Sequence, residues 1–313
     1  MEPVPAPEPW ASAAACTERR RRRRSRQCHS RCTRPSAAAH ASLPGAARTR
    51  GAGPVARGDS RLVDYDATGI PASYVEGRRL PRETVDLWLG AIERRVPREG
   101  ISTVVDVGCG TGRFSAALSA RFAARLIGVD PSREMLDQAR AAVREPGIEF
   151  VEGEAEHLPS GDGTVDLLFL SMTYHHITDM DAAGDEFRRV LRSGGYLCIR
   201  NATVDRLDSF EYLRYFPSAR ALDAEMLPSS SGLIEAMRDH GFEFISHDLI
   251  RQRFADTRRE YYEKVRHRAL SDLARIPDAE FDAGVKDMAE ALERDDVEGP
   301  VHEPVDLFVF RRP

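Results

Sequence analysis

Residues 102–112, STVVDVGCGTG, constrain the fold of this chain more than any other segment. The β-branched run favours a buried strand, and the closely spaced Gly108, Gly110 and Gly112 that end it remove Cβ atoms where backbone must turn tightly. Helical spacing resumes at once in Phe114, Leu118 and Phe122. Strand, glycine turn and helix make the first half of a βαβ unit. ARLIGVD (124–130) supplies its second strand, after which Ser132 is expected to cap a helix carrying Met135, Leu136, Ala139 and Val143.

The alternation continues along the chain. Strands are expected at IEFVEGE (148–154), VDLLFLSM (165–172) and YLCIRN (196–201), the last preceded by a helix over DEFRRVLR (185–192) and the turn SGG. Near-continuously apolar strands separated by helices imply a parallel sheet covered on both faces. Upstream, Pro81 opens a helix whose apolar face is Val85, Trp88, Leu89, Ile92 and Val96. Downstream come a helix around 233–242, a strand around 243–250, two helices between about 256 and 294, and a terminal strand at 305–310. The last two strands are expected to pair antiparallel. The fold class is therefore α/β: a doubly wound, mostly parallel sheet with a terminal antiparallel strand. The charged, Tyr-rich helical insertion at about 256–294 reads as a candidate lid over a substrate, and solvated surface helices fit it equally.

In open parallel sheets, ligands bind beyond the carboxyl ends of the strands, where the first glycine turn lies. The helix after that turn presents its first N–H groups to the same place. Asp130 ends the second strand, eighteen residues beyond Gly112, and its carboxylate can accept bonds from both ribose hydroxyls of an adenosine-containing cofactor. Asp106, at the end of the first strand, is placed to receive the cofactor's amino group directly or through water. These features suit both a nicotinamide or flavin dinucleotide and S-adenosylmethionine. The glycine spacing separates them. G-x-G-x-x-G started at Gly108 wants glycine where Arg113 stands, and started at Gly110 wants glycine or alanine where Ser115 stands. The pattern present is D-x-G-x-G-x-G.

On these residues the chain resembles the class I S-adenosylmethionine-dependent methyltransferases, particularly small-molecule enzymes such as those of quinone biosynthesis. The resemblance spans about residues 61–254. VVDVGCGTG is similar to the family's first motif, LIGVDPS to its acidic second-strand motif, FVEGEAEHLP to its adenine-contact motif, VDLLFLSMTYHHI to its fourth strand and FRRVLRSGGYLCI to the approach to its fifth. It implies a Rossmann-like methyltransferase fold with S-adenosyl-L-methionine as cofactor. By that resemblance Gly108, Cys109, Gly110 and Gly112 border the methionine moiety, and Asp130 holds the ribose. Met135 and the pair Glu154 and Ala155 flank and read the adenine, and Ser171 to Thr173 line the methyl-transfer site. YDATGIPASYVEGRRLP (65–81) is similar to the family's N-terminal cover and would set Tyr65, Tyr74 and Arg78 over the cofactor. Ser193, where proline is usual, and Glu154, where Asp or Asn is common, depart from the pattern without touching the cofactor reading.

Methyl transfer from a sulfonium is an in-line displacement, so the protein must hold nucleophile, methyl carbon and sulfur collinear in a site screened from water. It implies no metal. Proton removal matters only for a hydroxyl, an amine or an activated carbon acid, and the reachable groups are Tyr174 and the candidate catalytic pair His175 and His176. At least one of those histidines is explained as well by loop packing, and Cys109 and Cys198 read as packing thiols. One rival is an NAD-dependent oxidoreductase, which the glycine spacing opposes. Another is a non-catalytic S-adenosylmethionine-binding protein, because such motifs show binding rather than turnover.

Charge narrows the partner. Against a net charge of -5, residues 1–60 hold twelve arginines and four acids, which leaves the remainder near -13. So acidic a folded part disfavours nucleic acid and points to a small-molecule acceptor. No apolar run approaches the roughly 18 residues of a spanning helix, and no membrane partner is expected. The five cysteines form no disulfide framework, which suits a reducing, cytoplasmic location. The Arg/Ala/Pro-rich residues 1–60 are expected to be a disordered leader ahead of a methyltransferase domain at 61–313. Within the leader, Cys28, His29 and Cys32 lack the second ligand pair that a structural zinc wants.

Overall fold

The computed structural model describes residues 80–294 and 299–313. The leader and the cover residues Tyr65, Tyr74 and Arg78 lie outside the described residues. Seven strands, β1 (Thr103–Val107), β2 (Arg125–Asp130), β3 (Ile148–Glu152), β4 (Val165–Ser171), β5 (Leu191–Asn201), β6 (Glu243–Ala255) and β7 (Val301–Arg311), form one sheet in the order β3-β2-β1-β4-β5-β7-β6. Neighbours among β1 to β5 pair in parallel, and β7 runs antiparallel to both β5 and β6. The helices are α1 (Arg82–Glu93), α2 (Ser115–Phe122), α3 (Arg133–Ala142), α4 (Met180–Val190), α5 (Pro217–Met226), α6 (Ser230–Asp239), α7 (Arg258–Arg266) and α8 (Asp278–Arg294). This is the doubly wound sheet with an antiparallel terminal strand that the alternation predicts. Among the described residues no helix is long and apolar enough to cross a membrane.

The central strands are buried on both faces, so alternate residues feed two cores. On one face Val105, Leu168, Leu197 and Phe308 pack with Phe187 of α4 and Leu233 and Met237 of α6. On the other, Val104, Leu167, Cys198 and Leu307 pack with Trp88 of α1, Phe114 just before α2 and Leu118 within it. Full burial of a side chain such as Phe187 or Leu118 stabilises by about 2–3 kcal/mol. Side-chain caps fix where four of the helices begin. Ser132 Oγ accepts from Met135 N, Asp179 Oδ1 from Ala182 N, Ser229 Oγ from Gly232 N and Thr257 Oγ1 from Glu260 N.

Three differences from the sequence expectation have physical causes. The helix before β5 starts at Met180 and stops at Val190, and SGG is not a free turn but an irregular start to β5. Gly194 N donates to Arg312 O, Arg312 N donates to Gly195 O, and Arg192 reaches the buried Asp166, which pins these residues as strand. β6 and β7 run beyond the expected 243–250 and 305–310, because past the sheet they continue to pair with each other out to Ala255 and Val301. Residues 204–227, which carry no clear periodicity, fold as short 3-10 turns and α5. They join α7 and α8 in a third core in which Phe216, Tyr261 and Leu273 are fully buried. The segment 256–294 therefore forms a packed cap together with 204–227 rather than solvated helices.

Candidate functional site

After β1 the chain passes through Gly108, Gly110 and Gly112 at φ of 66°, 55° and 74°, the left-handed region that a Cβ disfavours. Gly108 N and Cys109 N both donate to Val129 O, which ties the turn to the end of β2. A Cβ on Gly108 would lie 2.3 Å from the side chain of Thr173, whose hydroxyl donates to Gly108 O at 3.2 Å. The loop after β4 can thus close on the glycine turn only because position 108 has no side chain. Cys109 is buried, and desolvation pushes its thiol well above the ordinary range, as expected for a packing thiol.

Asp130 sits at the end of β2, buried, with Oδ2 accepting from Gly110 N at 2.8 Å and Oδ1 from Ser132 N at 3.0 Å. One carboxylate therefore joins the glycine turn to the start of α3. Asp106, 2% exposed, accepts the Ser115 hydroxyl at 2.7 Å. Burial, together with the nearby charge of Asp130, outweighs that bond and pushes its carboxyl up to about 7. Met135 is buried in α3. Glu154 and Ala155 follow β3 in a tight turn closed by His157 N donating to Glu154 O.

Two cavities open beyond the carboxyl ends of the strands, on either side of the loop 172–176. The first is bordered by Gly108, Pro131, Glu154, Ala155, Thr173 and His176. It gathers the glycine turn, the residue after Asp130, the turn after β3 and one histidine. The second is bordered by Met172 and His175 from the loop, Arg113 from the glycine turn, Arg200 and Phe254 from β5 and β6, and Phe210 and Tyr212 from the cap. Buried acids complete it: Asp272 accepts the Tyr212 hydroxyl at 2.9 Å, and Glu303 accepts the Tyr261 hydroxyl at 3.4 Å. Between the cavities Met172 takes φ of 58°, an unusual strain for a non-glycine residue.

The histidine pair is divided by this arrangement. His175 borders the second cavity and its Nδ1 meets Asn201 Oδ1 at 3.0 Å, whereas His176 borders the first. Tyr174 instead turns into the sheet core, where desolvation pushes its phenol up to about 12 and makes it a poor base at neutral pH. Ser171 Oγ accepts from Arg200 Nη1 at 3.1 Å. Arg200 also donates to Gln252 Oε1 at 2.7 Å and stacks 4.7 Å above the Trp88 ring, whose Nε1 donates to the same oxygen. Sequence reasoning passed over Arg200, Asn201 and Gln252. The legible signal was the polar pair that ends the apolar strand YLCIRN, since a buried polar residue is the informative exception in a core.

Known proteins carry the same framework. Residues 105–199 match the family described as "Methyltransferase domain". The methyltransferase GfsG of Streptomyces halstedii is 38% identical over 105 residues, which cover 32% of this chain and 38% of that protein. The malonyl-[acyl-carrier protein] O-methyltransferase of Xylella fastidiosa (strain M23) is 35% identical over 136 residues, 42% of each chain. This chain thus spans well under two thirds of the length of these relatives. A crystal structure from Anabaena variabilis ATCC 29413, of a protein assigned as a methyltransferase of an antibiotic biosynthesis pathway, superposes with a TM-score of 0.61 at 20% identity. That superposition covers 75% of this chain and 99% of that one, and it shows the shared fold. The glycine turn and the acidic end of β2 lie within or beside the stretch 105–199 that matches the methyltransferase domain, and in that stretch the chain is similar to these methyltransferases.

Proposed function

We propose that this protein transfers a methyl group from S-adenosylmethionine to a small-molecule acceptor. The observation that carries the reading is the pair of cavities divided by residues 172–176: one framed by glycine backbone beside an acidic strand end, the other by polar and aromatic side chains. Residues of the first fit the cofactor. Gly108 leaves room for close approach of a ligand to backbone, and the Asp130 carboxylate, held at the end of β2 by Gly110 N and Ser132 N, suits the ribose. Gly110 and Gly112 shape the turn and Cys109 packs behind it. Glu154 and Ala155 border the adenine end, with Met135 behind them, and Asp106 lies nearest the amino group. Tyr74, outside the described residues, belongs to the same reading as part of the cover.

When bound, the cofactor supplies a methyl group made electrophilic by its sulfonium. The protein's part is to orient and to screen. Thr173 and His176 face the cofactor side of the loop, Met172 and His175 the acceptor side, and Ser171 holds Arg200 at the floor of the acceptor cavity. The cap over that cavity excludes water from the reacting atoms. The acidic balance of the chain after residue 60 supports a small molecule over nucleic acid. It also fits a cytoplasmic enzyme whose methyltransferase domain begins near residue 61.

Calorimetric titration of the full chain with S-adenosylmethionine and, separately, with NADH tests the reading. Binding of the first alone, lost in Asp130→Ala, is the expected result. Binding of NADH, or of neither, overturns it.

A further inference from the structure

β6 ends one side of the sheet, and among the described residues no strand pairs with its outer edge. Backbone N–H and C=O groups along such an edge form a template for a further strand. We propose that this edge pairs antiparallel with the same edge of a second copy of the chain, about a twofold axis at His247. The contact stands apart from the methyl-transfer reading and does not depend on it.

The pattern of exposure along β6 points to that occupant. Four of its 13 residues are exposed: Glu243, Ile245, Leu249 and Arg251. Ile245 and Leu249, at 37% and 44%, are two of the three large apolar side chains left exposed among the described residues. Glu243 and Arg251 carry no ion pair or side-chain hydrogen bond there. In an antiparallel pair about residue 247, Ile245 of one copy comes opposite Leu249 of the other, and Glu243 comes opposite Arg251. Apolar meets apolar and acid meets base, and a twofold contact makes each match twice. Moving the axis by one residue sets Ile245 against Arg251 or Glu243 against Leu249, and the match is lost.

The axis itself is clear. His247 is held on its own sheet, with its ring stacked 4.3 Å from Phe308 and its Nε2 2.7 Å from Asp306. Pairing between β6 and β7 slips at Ile245, which has no partner on β7. The slip offsets Glu243 from Arg251 by one rung, roughly 3.4 Å, which two long side chains at the end of the ladder span. Ion pairs at such a rim contribute little, so the ladder and the apolar pairs supply the affinity and the charges set the register. Gln252 and Phe254, next along the strand, border the acceptor cavity, so a paired β6 stiffens one of its walls.

Sedimentation velocity of the full chain, from micromolar to about 100 micromolar concentration, tests the contact. A species of twice the chain's mass is expected to grow with concentration, and amide exchange in β6 should slow over the same range. Glu243→Arg and Arg251→Glu each bring like charges together twice and should weaken association about tenfold. An equimolar mixture of these two variants should recover wild-type association, because the mixed pair matches at both contacts. Leu249→Asp should abolish it. Wild-type protein that stays monomeric, with β6 exchange independent of concentration, overturns the proposal whether or not the variants fold. Association indifferent to Leu249→Asp puts the contact on another face and overturns it equally. Single variants that dissociate without recovery on mixing, while their far-ultraviolet circular dichroism matches wild type, overturn the His247 register.

Discussion

In the cleft beside β1, position and recognition come from backbone: three glycines in left-handed conformation, an aspartate that ties two backbone N–H groups, and the turn after β3. Across the loop 172–176, the walls come from side chains delivered by β5, β6, β7 and the cap, from Arg200 to Glu303. The first half is local in the chain, falling largely within 106–157. The second gathers groups about a hundred residues apart. A cofactor shared by many enzymes can be met by a fixed backbone cradle, whereas an acceptor peculiar to one enzyme has to be read by side chains that are free to differ. The family match, at 105–199, covers the cradle and stops where most of the acceptor cavity begins.

The largest expected effect probes the buried acid of the cradle. Asp106, with its carboxyl pushed from 3.8 up to about 7, is protonated in the folded chain where the unfolded chain is already ionised. Stability from this group is therefore undiminished below about pH 4, falls as pH rises through the window from 4 to 7, and stays low above it. Asp106→Asn keeps an acceptor for Ser115 and removes the titration. Chemical denaturation across pH 4–8 should show the variant gaining on wild type as pH rises, by on the order of 4 kcal/mol at the upper end. A constant difference would mean that Asp106 is hydrated and titrates normally.

Next is Asp130→Ala, which should weaken S-adenosylmethionine binding about 100-fold, since it removes charge-assisted bonds worth about 1.5–3 kcal/mol each. The comparison is sharpened by Arg200→Met on the other side of the loop, which should leave cofactor affinity within a few-fold. Equal losses in both would show that the two cavities are one energetic unit.

How far each half could be read in the sequence follows from the same difference. The strands β1 to β5, their parallel pairing and the Ser132 cap were legible, because each depends on residues within one strand–turn–helix segment. The cap was only half legible: α7 and α8 were expected, but 204–227 was not. Phe216 of that segment is buried against Phe281 of α8, and such pairing across sixty residues leaves no local period. His175 was visible as a candidate, yet its partner Asn201 lies at the end of β5, and nothing in the spacing 175 to 201 announces a hydrogen bond. The helix expected over DEFRRVLR begins earlier because Asp179, six residues upstream of that stretch, supplies the cap.

The cap should be breakable without touching the cradle. Gly284 lies within α8, where alanine would ordinarily favour the helix by about 1 kcal/mol. A Cβ there would stand 2.3 Å from the Phe216 ring and 2.7 Å from Tyr215 O. Backbone cannot retreat as a flexible side chain can, so overpacking prevails and Gly284→Ala should destabilise by about 2 kcal/mol. Limited proteolysis should find the cap loosened while cofactor affinity holds. A variant as stable as wild type would mean that α8 shifts easily over 204–227.

The smallest effect tests how the halves meet. Gly108→Ala combines a left-handed φ of 66° with a Cβ 2.3 Å from Thr173, and cofactor affinity should fall about tenfold as the loop after β4 is pushed away. Thr173→Gly alone removes the hydroxyl bonds to Gly108 O and Ser171 O and should cost less. If steric contact dominates, the double variant binds better than Gly108→Ala, with a coupling of about 1 kcal/mol in a titration cycle. If backbone strain dominates, the two losses simply add, because removing Thr173 does nothing for φ at position 108. The presence or absence of that coupling therefore tells whether the glycine is there for the loop that lies on it or for its conformation, and only the first makes it the joint between cradle and acceptor cavity.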